Sequence, residues 1–196
     1  NSIVQASVNT LGTDSIAAWG ICDKLDLLIW LIADSMGPAL TTYTAQNIGA
    51  GKQHRAKKGA LVGTGISVIA VALISVVLYF CSGVIGPWFI AKKDVDALIP
   101  LVVRYMRMMA PFFVFYAVAE AYSGACCGLG ETLVPMITTL LTICLFRVVA
   151  IFALLPKFGT MECIVLIYIA SWILAGCAFV VLYSVKERKL YRKYNC

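Results

Sequence analysis

The sequence predicts an all-α integral membrane protein, on its composition, the length of its apolar runs and the placing of its bases. Of its 196 residues, 61% are hydrophobic and only 13% charged, whereas about a quarter of a soluble domain is charged. Several apolar runs exceed the roughly 20 residues that a spanning helix needs. They lack the in/out alternation over about 10 residues that marks a membrane β-strand. Bases gather in the short segments between runs. The expected architecture is a six-helix transmembrane lobe, five complete spans plus a partial first helix. It forms a single transmembrane helical domain over 1–196, with a basic cytoplasmic tail at 186–196.

The partial first helix is Asn1 to Leu11, broken by Gly12 and followed by Thr13 or Asp14 as a cap for the next helix. The second runs from about Ser15 to Asn47, and the third from Ala60 to Gly83, before the breakers Gly86 and Pro87. The fourth runs from Ala97 to Cys127, with a kink expected at Pro111 because proline removes a backbone donor. The fifth spans Leu133 to Leu155 and is expected to stop at Pro156; the sixth spans Cys163 to Val185. The first residue is Asn, and no charged leader with a short apolar core and cleavage site opens the chain. This reads as an excerpt or separated half of something longer.

The positive-inside rule orients the spans. Lys52, Arg55, Lys57, Lys58, Lys186, Arg188, Lys189, Arg192 and Lys193 share one side, against Lys92, Lys93 and Lys157 on the other. The first side is therefore expected to be cytoplasmic, with the C-terminus. The basic stretch "TAQNIGAGKQHRAKKG" is a topology determinant rather than a phosphate loop. Gln46 stands where a P-loop needs its first Gly, and Gln53 where it needs Ser or Thr. Its glycines read as a helix stop and a tight turn.

Ionisable residues inside spans are the functional candidates, because each costs about 2.5–3.5 kcal/mol at mid-membrane unless it pairs or meets water. On the second segment Asp23, Asp26, Trp30, Asp34, Gly37, Thr41 and Thr44 recur at helical spacing and form one polar stripe. Such a stripe faces a cavity, or it glues a helix–helix seam. Asp26, Lys24, Arg107 and Arg147 fall at levels where they can neutralise one another, so an inter-helix charge network is the alternative to a functional role for them. Glu120 differs. It lies in the inner half of the fourth span, where no base of this chain is expected inside a span at its depth. Tyr116, Phe113 and Ser123 share its face. Such an acid exchanges protons, holds a cation or attracts an organic cation alongside aromatic rings, or else it stays protonated in a hydrogen bond.

No Ser-His-Asp set, HExxH or interior Cys-His pair is present, and the single histidine, His54, lies in the basic loop. The eight cysteines contain no CxxC and mostly lie in apolar runs, as small hydrophobes. No metal site, disulfide framework, enzyme activity or nucleic-acid partner is expected. The pairs Gly59/Gly63 and Gly124/Gly128 indicate close helix packing.

The stretches "LGTDSIAAWGICDKLD", "GPALTTYTAQNIGAGKQHRAKKG" and "SGACCGLGETLVPM", in that order, resemble the multidrug and toxic compound extrusion (MATE) transporters. The carrying residues are Gln46, Gly49, Ala50, Gly51, Arg55 and Ala56, then Gly128, Gly130 and Pro135. The resemblance implies about twelve spanning helices in two pseudo-symmetric lobes, with this chain as the C-terminal lobe and an N-terminal six-helix lobe as its partner. It implies a secondary-active antiporter in a bacterial cytoplasmic membrane. Such a protein exports small organic cations in exchange for H⁺ or Na⁺, with no cofactor. Glu120 and Tyr116 resemble the tenth-helix part of a C-lobe cation site. The seventh-helix acid of that site has no counterpart, since only Gln5 and Asn9 remain of that helix's outer half. The expected coupling residues are Glu120, Asp34 and Asp26. Tyr116, Phe113, Trp30 and Thr41 are expected in the substrate cavity. A lipid-linked oligosaccharide flippase of the same superfamily and a non-transporting membrane scaffold are the alternatives.

Overall fold

The computed structural model describes residues 13–89 and 94–194, and is helical with no strand among them. The predicted partial first helix, with Gln5 and Asn9, lies outside the described residues, as do Lys92 and Lys93. Helix α1 is Thr13–Gly49 and α2 is Gln53–Ile85, continued by a 3₁₀ turn at Gly86–Phe89. Helices α3, Val95–Met109, and α4, Phe113–Gly128, are joined by a 3₁₀ turn at Ala110–Phe112. This is the break expected at Pro111. Helices α5, Leu133–Thr139, and α6, Phe146–Phe158, enclose a π-helical segment, Leu140–Leu145. Helix α7 is Met161–Tyr194.

Four continuous helical stretches, Gln53–Phe89, Val95–Gly128, Leu133–Phe158 and Met161–Lys189, are long and apolar enough to cross a membrane. Helix α1 is long enough too, at 37 residues, but Asp23, Lys24, Asp26 and Asp34 interrupt its apolar character. The fold is that of a multi-pass membrane protein.

Several ends move outward from their predicted places. Helix α2 starts at Gln53 rather than near Ala60. The chain turns sharply at Gly51 (φ 72°), where Lys52 N–H donates to the Asn47 carbonyl at 2.8 Å. Glycine takes this left-handed conformation without steric cost. The basic residues therefore form the first turns of α2. Helix α6 passes Pro156 and ends three residues later, at Gly159 (φ 57°), whose N–H donates to the Leu155 carbonyl at 2.8 Å. Proline lacks a donor, but its own φ is helical, so the turn closes before the left-handed glycine stops it. Helix α7 outlasts its apolar run. Its extension is tied down by Lys186 Nζ to Glu131 at 2.6 Å and by Lys57 Nζ to Glu187 at 3.0 Å.

Helix α4 is central, packing against α1, α2 and α7. The main apolar core unites the first halves of α1, α4 and α7 with α3, around Ile29, Met106, Phe113 and Trp172. Towards the basic end, packing relies on glycine. A Cβ on Gly124 would lie 2.7 Å from the Gly37 Cα, and one on Gly128 would lie 2.7 Å from the Thr41 carbonyl oxygen. Thus α1 and α4 touch backbone to backbone, the close approach that small residues permit in membranes.

Candidate functional site

The α1–α4 seam sets two carboxylates beside each other. Tyr116 projects from α4 and its hydroxyl donates to Asp34 Oδ1 on α1 at 2.7 Å. Glu120 stands one helical turn further along α4. A Cβ on Gly37, one turn along α1 from Asp34, would lie only 3.8 Å from Glu120 Oε2. Glu120 therefore lies within van der Waals reach of α1 at Gly37. With Asp34 bonded to Tyr116 and Glu120 one turn beyond it against Gly37, two like charges share this stretch of the seam and repel when both are ionised. Among the described residues the ion pairs are Lys57–Glu187, Arg104–Glu162 and Lys186–Glu131, so neither site carboxylate is matched by a base.

Local sequence adds a further oxygen. Pro38 lies inside α1 and has no N–H, so the helix cannot return its bond to the Asp34 carbonyl four residues back. Trp30 closes one side of the cluster, its ring centroid 5.3 Å from that of Tyr116. Asp34 is exposed and Glu120 partly so. Two mutually repelling acids, a phenol and a tryptophan face form a site suited to a proton, a small cation or an organic cation. No group of three metal-ligating side chains occurs among the described residues.

The predicted site residues divide. Glu120, Asp34, Tyr116 and Trp30 come together. Thr41 does not line an open cavity: its hydroxyl lies 3.0 Å from the Gly37 carbonyl and 2.9 Å from that of Gly124, inside the seam. Phe113 is 1% exposed and packs on Trp172 at 5.2 Å, so it is core. Helix α7 covers it through Trp172. Asp26 is 2% exposed, with Oδ1 lacking a hydrogen-bond partner. It lies eight residues from Asp34, about 12 Å along the helix.

The predicted charge network among Asp26, Lys24, Arg107 and Arg147 does not form. Lys24 lies over the Phe89 ring at 5.8 Å and Arg107 over Tyr79 at 5.7 Å, both on the outside. Arg147 is buried, stacked on Tyr168 at 3.9 Å and 6.0 Å from the Trp172 ring centroid; its Nε donates to Ser171 Oγ at 2.8 Å. This aromatic cradle was missed from the sequence. Its signal was Tyr168, Ser171 and Trp172 on one face of α7, opposite a lone span arginine. Trp172 links the cradle to the site, its centroid 6.3 Å from Tyr116.

A family model described as MatE matches residues 1–152. The chain belongs to the MatE family. Among curated relatives, the "Probable multidrug resistance protein YoeA" of Bacillus subtilis is 28% identical over 91 residues, 46% of this chain and 20% of that protein. The "Multidrug and toxin extrusion protein 1" of Mus musculus is 24% identical over 123 residues, 63% of this chain and 20% of that protein. A "FAD transporter" of Shewanella oneidensis is 25% identical over 80 residues, 41% of this chain and 18% of that protein. Among solved structures, a MATE protein in complex with MaL6 superposes with a TM-score of 0.90 at 12% identity, over 97% of this chain and 43% of that one. A MOP superfamily transporter from Pyrococcus furiosus gives 0.80 at 20% identity, over 92% and 39%. These likenesses show a MATE fold. The chain spans about a fifth of the length of the curated relatives it matches.

Proposed function

We propose that this chain is the C-terminal half of a MATE-type antiporter in a bacterial cytoplasmic membrane, with its C-terminus cytoplasmic. It works with an N-terminal six-helix lobe to export small organic cations in exchange for H⁺ or Na⁺. The observation that carries this reading is the Asp34–Tyr116–Glu120 cluster, two exposed or half-exposed acids without a base among the described ion pairs. A membrane protein retains such costly charge where it meets water and a cation. The family membership and the names of the multidrug relatives support the same activity.

The two lobes alternate access around the site. A proton or Na⁺ between Asp34 and Glu120 relieves their repulsion, and the aromatic faces of Trp30 and Tyr116 receive the organic cation. Each charge of the cargo competes with the coupling ion for the same carboxylates, which is what exchange requires. Asp26 has no part in this coupling, because it is buried away from the cluster. A flippase for anionic lipid would need bases at the cluster, yet none of the ion pairs among the described residues brings a base to Asp34 or Glu120. A scaffold would pair its interior acids.

The test is efflux of a fluorescent organic cation driven by imposed H⁺ or Na⁺ gradients in vesicles. Glu120→Gln and Asp34→Asn are expected to abolish or uncouple transport while leaving the protein folded. Unchanged efflux with unchanged ion dependence in both variants overturns the proposal.

A further inference from the structure

Away from the carboxylate site, α1 and α2 flank a groove of about 560 Å³ near the turn that joins them. We propose that this groove holds one anionic phospholipid, with its phosphate on Arg55 and Lys58 and an acyl chain lying along α2 towards Ile66.

The pattern on α2 carries the inference. Arg55, Lys58, Gly59, Val62, Gly63 and Ile66 follow one another at helical spacing and all line the groove. One stripe thus runs from two bases, through bare backbone, to branched apolar side chains. From Arg55 to Ile66 the stripe is about 16 Å long, the reach of most of an acyl chain. The two glycines shape it. A Cβ on Gly59 would overlap the Tyr43 ring, and one on Gly63 would lie 2.5 Å from Leu40 Cδ2. Tyr43 and Leu40 of α1 therefore fill the glycine positions and leave a channel beside them.

Charge selects the occupant. Arg55 and Lys58 are exposed and belong to none of the ion pairs among the described residues, whereas Lys57 between them turns away to Glu187. Two unmatched bases stand at the level where the helix leaves its apolar run, beside an apolar channel. That is the arrangement of a headgroup above a tail, and basic pockets between spanning helices select anionic headgroups. The tail alone gives no preference, because the surrounding lipid is equally apolar. Selectivity for the charged headgroup is therefore the property to measure.

The experiment uses purified protein in neutral detergent, titrated with phosphatidylglycerol, with phosphatidylcholine of the same acyl chains, or with inorganic phosphate. Native mass spectrometry reads retained lipid and thermal unfolding reads stabilisation. Phosphatidylglycerol is expected to bind about thirtyfold more tightly than phosphatidylcholine, for two bases near an anionic headgroup. Arg55→Gln with Lys58→Gln should erase that preference, and Ala39→Phe, which fills the channel, should weaken both lipids. Equal binding of the two lipids overturns the proposal. So does stabilisation by phosphate equal to that by phosphatidylglycerol, or phosphatidylglycerol binding that survives both changes. Absence of any retained lipid overturns it as well and points to a protein segment over the groove.

Discussion

Adding one methyl group at Gly124 should loosen the lobe at the place where its site is assembled. In the folded chain that methyl would lie 2.7 Å from both the Gly37 carbonyl carbon and its Cα. Carbon atoms rest about 3.5–4.0 Å apart, so α1 and α4 must separate locally by about 1 Å. The obstacle is backbone, and no rotamer change removes it. Overpacking of this kind costs about 1–3 kcal/mol. The separation also stretches the 2.9 Å bond from Thr41 to the Gly124 carbonyl, which adds about 0.5–1.5 kcal/mol. For Gly124→Ala the expected loss is about 2–4 kcal/mol, which lowers the melting temperature by roughly 5–15 °C. The assay is thermal unfolding of detergent-purified protein, with Gly65→Ala as control. A Cβ at Gly65 meets nothing within 4 Å, and alanine there stabilises the helix by about 0.5–1 kcal/mol. If Gly124→Ala melts no lower than Gly65→Ala, the backbone contact between α1 and α4 is wrong.

Two further outcomes follow from burial. Ser171→Ala removes the acceptor of the Arg147 Nε–H inside the aromatic cradle and should cost about 1–3 kcal/mol; Arg147→Lys should destabilise as well, since an ammonium cannot reproduce the planar stack on Tyr168. Glu187→Gln weakens an ion pair whose acid is buried and should cost about 1–3 kcal/mol. Glu131→Gln, whose carboxylate is the more exposed of the two acids, should cost about 0–1 kcal/mol, as surface pairs do. Chemical or thermal unfolding of each variant checks both.

Four of the predicted spans were legible because a membrane forces long apolar runs on any helix that crosses it. The helix ends were less so. Hydropathy marks where lipid stops, not where the backbone stops being helical, so the charged turns at 53–59 and beyond 185 were read as loop and tail. The π segment at Leu140–Leu145 left no mark in composition. Of the site, Glu120 with Tyr116 was legible from spacing on one helix. The Tyr116–Asp34 bond joins residues 82 apart, and no local pattern sets that distance. The charge network was misread because depth fixes one coordinate only. Lys24 and Arg107 stand at suitable levels but point outward, and rotation about the bundle axis was not recoverable from one sequence.

The polar stripe of α1 answers two purposes at once, and its acids can be told apart by what each variant changes. Gly37, Thr41 and Thr44 belong to the seam: Gly37 and Thr44 are buried, and Thr41 bonds across to α4. Asp34 is exposed and bonded to Tyr116, while Asp26 is buried with an unpartnered oxygen. A buried carboxylate without a full set of partners contributes little stability that a neutral side chain of the same shape would lose. Asp26→Asn should therefore leave the melting temperature unchanged or raise it, with ion-driven efflux intact. Asp34→Asn keeps the shape and an acceptor for the Tyr116 hydroxyl, so it should hardly change the melting temperature yet alter the ion dependence of efflux. The opposite pattern, stability lost with Asp26 and coupling indifferent to Asp34, would move the coupling function up the helix and leave the Asp34–Glu120 cluster as packing.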